Sequence, residues 1–359
     1  MSIETTDRGA TRTHKIMPVQ RTTDSGGWWG GLGPRGQKAF KAAFAGYTLD
    51  AFDLIILTLS LAAIGSTFGV GKGATGALAT VTLSASAVGG ILGGVLSDRI
   101  GRARTLMLTV GVYSVFTFLS GLASSYDMLL VFRVFQGIGF GGEWAVGAIL
   151  VAELIKPEAR AQIFRSNLVK TTVFASILAT GIQGGYYAMF TWIPTYLKEE
   201  RSLSVVGTSG YLTVVIIGAF LGYLSAGFVH DRLGRRKTFT LYAALAGVSL
   251  VAYFLVPTGS NTTLLIIGFP LGFFASGCFS SFGSYLAELY PTRARGTGAG
   301  FCYNVGRALG ALFPGIIGFL AAAIGLGGAV AFGVFGYVLA IVALRFLPET
   351  HGKELVPVE

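Results

Sequence analysis

Ten long apolar segments, separated by short breaks, most constrain how this chain can fold. A helix needs about 20 apolar residues to cross the hydrocarbon core of a bilayer, and each segment is about that long. The breaks contain glycine, serine, aspartate and proline, which favour turns; they fall at 69–73, 124–127, 257–262 and 325–328. The sequence therefore predicts an all-α, polytopic membrane protein. Its helices are expected at about 43–69, 75–97, 105–124, 127–151, 167–194, 207–229, 238–256, 262–287, 297–323 and 325–347.

Composition supports this fold class. Of the 359 residues, 52% are hydrophobic and 12% are charged, against about 25% charged in a soluble protein. The two cysteines, Cys278 and Cys302, lie inside apolar segments, and there are three histidines. Neither a disulfide framework nor a metal centre is expected from so few ligands. We expect no cofactor and no enzymatic chemistry.

The net charge of +10 is distributed as membrane topology requires. Of the 27 lysines and arginines, 22 fall on the side of the N-terminal tail, three on the other side and two inside apolar segments. Because cytoplasmic loops carry the excess of positive charge, both termini are predicted in the cytoplasm, with the chain in the plasma (inner) membrane. The basic residues flank the segments expected in the lipid bilayer and do not gather on one face of the protein, so no nucleic acid is expected as a partner. Residues 1–42 are predicted to be a disordered cytoplasmic tail, and 348–359 a second cytoplasmic tail.

An internal repeat divides the chain into two copies. The segment Gly94-Val-Leu-Ser-Asp98-Arg99-Ile-Gly101-Arg102 recurs 133 residues later as Gly227-Phe-Val-His-Asp231-Arg232-Leu-Gly234-Arg235, followed by Arg236. Glu153 and Arg160 recur 135 residues later as Glu288 and Arg295. Two matches at nearly one offset indicate two parallel copies, as in transporters whose halves share a topology.

The two copies are unequal. Two apolar segments follow Glu288–Arg295, whereas Glu153–Arg160 leads directly into segment 167–194, which occupies the first position of the second copy. We therefore predict an N-terminal bundle of four helices over 43–162 and a C-terminal bundle of six over 163–347. Loss of an even number of helices leaves the direction of every later segment unchanged.

These motifs resemble those of major facilitator superfamily transporters. Further elements of the resemblance are Arg133-Val-Phe-Gln136-Gly137-Ile-Gly139 and the closing Pro348-Glu349-Thr350-His351-Gly352. The segments Leu49-Asp50-Ala-Phe-Asp53 and Gly141-Gly142-Glu143-Trp144 are similar to proton symporters for carboxylic metabolites, which include the aromatic-acid, lactate/pyruvate and sialic-acid groups. The resemblance implies twelve helices in two six-helix bundles around a central cavity, so the fifth and sixth helices are expected to be absent here.

Charged residues inside apolar segments are the candidates for proton coupling, because burying them in a bilayer costs about 2.5–3.5 kcal/mol each on insertion scales. Asp50 and Asp53 lie one turn apart on a helix face, with Asp53 near mid-membrane. Asp53 is the expected proton carrier, and Asp50 either shares that role or pairs at a packing seam. Arg133 either couples to Asp53 or forms a structural ion pair. Glu143 is either a second proton relay or the partner of a cytoplasmic-side cation.

A second group of polar residues is predicted to bind the substrate. Arg307 lies about ten residues into its helix, with Tyr303 and Asn304 nearby, and a guanidinium there could grip a carboxylate in bidentate fashion. The alternative is a permanent acidic partner, for which the second copy offers only Glu288. Gln183, Tyr186 and Tyr187 could contact the rest of the substrate, whereas Trp192 fits an interface belt of aromatics better. The glycine-rich run 137–142 is expected to serve close helix packing.

The doubled loops are predicted to gate access by bonding helix ends of the opposite bundle. The gating residues are Gly94, Asp98, Arg99, Gly101, Arg102, Gly227, Asp231, Arg232, Gly234, Arg235, Arg236, Glu153, Arg160, Glu288 and Arg295. Together these features favour proton-coupled symport of a small organic anion by alternating access. Two alternatives stay open: a sugar or polyol transporter of the same superfamily, and a non-transporting relic or membrane sensor. The oligomeric state is not predicted.

Overall fold

The computed structural model describes residues 55–152, 168–280, 282–291 and 294–352, and all regular structure in these ranges is α-helical. This confirms the predicted fold class. The helices are α1 (Ile55–Phe68), α2 (Lys72–Ile100), α3 (Arg102–Ser120), α4 (Tyr126–Ala152), α5 (Val169–Glu199), α6 (Val205–Leu233), α7 (Arg235–Leu255), α8 (Asn261–Ser280), α9 (Phe282–Glu288), α10 (Arg295–Gly310), α11 (Leu312–Ala331) and α12 (Val334–Arg345).

Three of the four predicted breaks coincide with helix ends. They separate α1 from α2, α3 from α4 and α7 from α8. The fourth falls inside α11, where Gly325 has φ +76° and kinks the helix. A positive φ of this size strains residues with a Cβ atom, so glycine suits this position.

Among the described residues, five helical stretches are long and apolar enough to cross a membrane. They are Lys72–Ser97, Gly207–Leu233, Arg235–Leu255, Asn261–Glu288 and Thr297–Ala331. Helix α5 has 31 residues, about 46 Å at 1.5 Å per residue. That length is more than enough to cross a membrane. However, α5 carries the polar residues Gln183, Tyr186 and Tyr187, which lower its hydropathy.

The sequence repeat is also a repeat of contacts. Gly89 of α2 lies against the backbone carbonyl of Ile138 in α4, and Gly222 of α6 lies against that of Phe273 in α8. The first members of these pairs are 133 residues apart and the second members 135. A methyl group on either glycine would overlap the carbonyl, so both helix pairs pack backbone to backbone. The same offsets relate Gly137–Thr82 to Gly272–Val215, and Gly142–Gly89 to Gly277–Gly222.

Helix α5 forms the core of the second half, packed against α10, α11 and α12. Trp192 on α5 is fully buried, and its Nε1 donates a hydrogen bond to the carbonyl oxygen of Pro314 at 3.1 Å. The interpretation of Trp192 as an interface aromatic is therefore wrong. Gly76 and Gly318 flank the indole, and their missing side chains leave the space that it fills.

Helices α2 and α11 join the two halves. The hydroxyl oxygen of Thr80 accepts a hydrogen bond from the backbone N–H of Gly315 at 2.9 Å. At the start of α2, Lys72 forms a salt bridge of 3.0 Å with Glu199 at the end of α5. These contacts lie toward the end of the molecule opposite the repeated Asp-Arg-x-Gly-Arg loops.

Candidate substrate-binding site

The candidate site forms where α5 and α10 approach closely. Gly310 of α10 lies against the backbone of Gly184 in α5, and a Cβ on Gly310 would stand 2.9 Å from the Gly184 nitrogen. This approach lets Gln183 donate from Nε2 to the Tyr303 carbonyl at 3.0 Å. Tyr187 in turn donates its hydroxyl to Gln183 Oε1 at 3.2 Å.

Arg307 is a charged residue at this junction, and its exposed fraction is 3%. Its guanidinium carbon lies 5.2 Å from the ring centroid of Tyr303 and 5.6 Å from that of Phe140. The phenol groups of Tyr187 and Tyr303 are within hydrogen-bonding reach of the guanidinium. Phe140 belongs to α4, so the two halves of the molecule meet at Arg307 through cation–π contacts.

Sequence reasoning missed Phe140 because it lies within the glycine-rich run 137–142, which was assigned to packing alone. The glycines do pack as expected: Gly141 lies against the backbone of Ser86 in α2. The available signal was a single bulky aromatic residue among small ones, one turn before Glu143. Its contact with Arg307 depends on how the two halves meet.

Two predicted residues flank this cluster. The ring of Tyr186 packs between Phe190 and Phe279, with both centroid distances 5.0 Å. Asn304 donates to the Gly300 carbonyl in its own helix at 2.9 Å. The Oδ1 atom of Asn304 is 3.3 Å from the position that a Cβ of Gly90 in α2 would occupy. The structure thus brings Gln183, Tyr187, Tyr303 and Arg307 together, with Tyr186 and Asn304 beside them.

The predicted proton-coupling residues are only partly described. Arg133 is buried on α4, with an exposed fraction of 7%, and lies seven residues before Phe140, about 10 Å along that helix. Glu143 lies on α4 one turn beyond Phe140, but its side chain is outside the described part, as are those of Asp98 and Arg102. Asp50, Asp53, Glu153 and Arg160 lie outside the described residues, so the proton-coupling roles stay predictions.

The second doubled loop bonds within its own half of the molecule. Arg235 Nη1 lies 2.7 Å from Asp231 Oδ1, and Arg235 Nη2 lies 3.2 Å from Glu288 Oε1. Glu288 also accepts a hydrogen bond from the hydroxyl of Thr350. In this structure Arg235 bonds carboxylates of its own half and not helix ends of the opposite bundle, and the gating role stays a prediction. Glu288, the one acidic partner considered for Arg307, is engaged by Arg235 and Thr350 instead.

Glu349 caps the start of α7 from the C-terminal segment. Its carboxylate accepts backbone N–H groups of Arg235 at 2.9 Å, Arg236 at 3.0 Å, Thr350 at 3.0 Å and His351 at 3.1 Å. Burial raises the pKa of this carboxyl, but the backbone hydrogen bonds outweigh burial and leave the pKa below its usual value. The sequence resemblance included Glu349 but did not reveal this role.

The remaining loop residues follow the repeat. Gly101 and Gly234 occupy equivalent positions, with φ +87° and +88°, and each precedes a helix at a sharp turn. Arg99 and Arg232 are exposed, and Arg236 and Arg295 are partly buried. Gly94 and Gly227 lie within α2 and α6, respectively.

Apolar helices arranged in a repeat, with a buried cationic site where the halves meet, are features of a multi-pass membrane transporter. The sequence profile of the Major Facilitator Superfamily matches residues 43–192 and 172–359. The chain belongs to this superfamily.

Two relatives have named transport roles. The chain is 33% identical to a protein of Cupriavidus pinatubonensis named "Probable 4-methylmuconolactone transporter", over 90% of this chain and 93% of the relative. It is 26% identical to the "Cis,cis-muconate transport protein" of Acinetobacter baylyi, over 87% of this chain and 94% of the relative. Relatives of this chain therefore include transporters of organic acids.

A solved structure has the same fold. It is a bacterial homologue of the human lysosomal transporter Spinster, in its inward-facing and occupied conformation. The TM-score is 0.63 at 17% identity, over 84% of this chain and 94% of that chain. At this identity the likeness shows the fold alone.

The alignment to the Cupriavidus relative includes many positions that have no residue of this chain. It runs over 404 positions, whereas 90% of 359 residues is about 323, which leaves about 80 positions with no residue of this chain opposite them. That total is as long as two transmembrane helices of about 20 residues with their connecting loops.

Proposed function

We propose that the chain is a proton-coupled symporter that takes up a small organic anion by alternating access. The observation that carries this proposal is the buried Arg307 guanidinium at the junction of the halves, beside Tyr187, Tyr303 and Phe140. A guanidinium in such a site can hold a carboxylate through two parallel hydrogen bonds. The carboxylate would replace contacts that Arg307 makes with the rings, so binding would act on both halves at once.

The names of the relatives support an organic acid as the substrate. In this proposal Asp53 carries the proton, with Asp50 or Glu143 as a second group, and Arg133 links proton binding to movement of α4. Gln183, Tyr186, Tyr187, Tyr303 and Asn304 contact the remainder of the substrate. We further propose the plasma membrane as the location, cytoplasmic termini, and four helices in the first half against six in the second.

Uptake of labelled cis,cis-muconate into cells expressing the chain tests the proposal, with and without a proton uncoupler. We expect the uncoupler to abolish accumulation. At substrate concentrations below saturation, Arg307→Gln should lower the rate of uptake by about tenfold to a hundredfold, since hydrogen bonds to charged groups are worth about 1.5–3 kcal/mol. Arg307→Lys keeps the charge without the bidentate geometry and should be impaired less. Arg345→Gln removes an exposed cation at the end of α12 and is the matched control.

Three outcomes would contradict this function. Uptake that resists the uncoupler would exclude proton coupling. A panel in which a labelled sugar accumulates and Arg307→Gln has no effect would favour the sugar or polyol transporter. A chain that inserts stably and accumulates none of the labelled compounds, beside an active twelve-helix relative, would favour the non-transporting alternative.

A further inference from the structure

Tyr337 on α12 brings a buried hydroxyl group close to the candidate site. Its exposed fraction is 1%, and its hydroxyl has no hydrogen-bond partner among the residues that the structure describes. The ring lies against Gly185 of α5, where a Cβ would stand 2.8 Å from Cε2 and 2.9 Å from Cζ. Because Cζ carries the hydroxyl, that group reaches α5 next to Tyr186. A buried hydroxyl without a partner is costly, so it is suited to bind an acceptor.

Two further hydroxyl groups lie beside that of Tyr337. The phenol of Tyr186 is within hydrogen-bonding reach of Ser276 on α8, and it is also a neighbour of the Tyr337 phenol. Ser276 has an exposed fraction of 2%, whereas Tyr186 is partly exposed. We call Tyr186, Ser276 and Tyr337 the hydroxyl cluster. Since Tyr186 is its partly exposed member, a ligand oxygen would enter from that side.

The hydroxyl cluster begins one aromatic ring away from Arg307. Tyr187 is within hydrogen-bonding reach of the guanidinium, and its ring centroid lies 6.4 Å from that of Tyr186. On the other flank, the Tyr303 ring that contacts the guanidinium lies 5.9 Å from the ring of Phe282. Aromatic rings therefore separate the charged end of the site from the hydroxyl cluster.

The hydroxyl cluster differs from the Arg307 end in its charge. In the described part of the chain, the polar neighbours of the Tyr186 and Tyr337 phenols are uncharged at neutral pH; they are Ser276, Tyr303 and the thiol of Cys278. Burying a carboxylate without a cation beside it costs far more free energy than burying a carbonyl group that receives hydrogen bonds. The cluster therefore favours an uncharged oxygen, and a carboxylate belongs at Arg307.

We propose that the hydroxyl cluster binds an uncharged oxygen of the substrate and makes Ser276 and Tyr337 specificity-determining residues. The substrate class is then a monoanion, with its carboxylate at Arg307 and a ketone, ester or lactone oxygen at the other end. A dicarboxylic acid would bind with its second carboxyl group protonated. The inference rests on the proposed function in one respect, the use of Arg307 as the carboxylate site.

Equilibrium binding to the purified full-length chain in detergent tests this inference. The probes are 4-oxocyclohexanecarboxylate and cyclohexanecarboxylate, which differ only in one carbonyl group. We expect the wild type to bind the oxo acid about tenfold more tightly, a preference of about 1.4 kcal/mol. Tyr337→Phe and Ser276→Ala each remove one hydroxyl and should lower this preference about threefold. Their affinity for cyclohexanecarboxylate should stay unchanged.

Tyr253 provides the matched control. Its hydroxyl is also buried without a hydrogen-bond partner in the described residues, but its ring packs on Tyr196 and Phe254, outside the hydroxyl cluster. Tyr253→Phe should therefore keep the full preference for the oxo acid. A role in packing alone would weaken the binding of both acids alike, whereas a role in specificity changes only their ratio.

Three results would overturn the inference. They are equal affinity of the wild type for the two acids, no binding of the oxo acid, and an equal loss for both acids in Tyr337→Phe and Ser276→Ala. Failure of the proposed function looks different. Arg307→Gln would then leave both affinities unchanged, while a preference that Tyr337→Phe lowers would still support the hydroxyl cluster. Because the assay measures binding, its result does not depend on proton-coupled uptake.

Discussion

Replacing the carboxylate of Glu349 tests how the C-terminal segment stabilises the second half. The substitution Glu349→Gln keeps the size of the side chain but removes its charge and one of its two acceptor oxygens. That carboxylate accepts four backbone N–H groups, two of them from the first turn of α7. The N-terminal residue before α7, Gly234, has no side chain to do so instead.

The size of the effect follows from these contacts. A hydrogen bond to a charged group contributes about 1.5–3 kcal/mol, and an anion at a helix N-terminus about 0.3–1 kcal/mol. Glu349 is partly open to solvent, and the amide oxygen keeps some of the bonds. We therefore expect a loss of about 1–2 kcal/mol in the free energy of unfolding, or about 2–5 °C in melting temperature.

The assay is thermal unfolding of the purified protein in detergent, with Arg232→Gln as a control that changes one exposed charge in the same loop. Because the folded pKa of Glu349 lies below its usual value, its contribution is present above the unfolded carboxyl pKa. The contribution is lost as the pH falls through the lowered folded value. The difference between wild type and Glu349→Gln should thus hold from pH 7 to about pH 5 and shrink below about pH 4. Equal melting temperatures for Glu349→Gln and Arg232→Gln at pH 7 would refute the reasoning.

Three further predictions concern the core, the site and the contact between the halves. Trp192→Phe removes the hydrogen bond to Pro314 and should lower the free energy of unfolding by about 1 kcal/mol; an unchanged melting temperature would contradict this. Gln183→Leu breaks its link to the α10 backbone and should weaken the apparent affinity for muconate about fivefold to tenfold, while the amount of inserted protein stays the same. An unchanged affinity for muconate would show that Gln183 does not belong to the substrate site. Lys72→Glu and Glu199→Lys should each slightly favour separation of the two halves, and the double variant should restore their contact. Since both side chains are about a third exposed, a double-mutant cycle should give a coupling of about 0.5 kcal/mol.

The sequence predicts helices and repeat well because both depend on local patterns. Apolar length and turn-forming residues mark the ends of helices, and the repeat offset predicts equivalent turns at Gly101 and Gly234. Contacts between distant helices were harder to predict. Trp192 looks like an interface aromatic in sequence, and only the small residues on α2 and α11 make it a core residue.

The candidate site shows the same limit. Gln183, Tyr187, Tyr303 and Arg307 were predicted because polar residues in apolar helices are costly and therefore conspicuous. Phe140 is apolar in an apolar helix, and its one local signal, an aromatic ring among glycines, does not reveal a contact with another helix. The carboxylates that Arg235 contacts, Asp231 and Glu288, could not be predicted, because a charge pattern does not identify which carboxylate is nearest.

The glycine contacts between α2 and α4, and between α6 and α8, govern how this molecule can deform. Where a backbone carbonyl fits against a glycine, as Ile138 does at Gly89, one helix cannot slide along the other without driving a Cβ atom into main chain. Interfaces at this density are stiff and resist compression. Each helix pair therefore moves as a rigid body, which can rotate as a unit but whose two helices cannot slide along each other. Any opening of the transporter must be taken up by the softer side-chain contacts between the halves, such as Arg307 against Phe140.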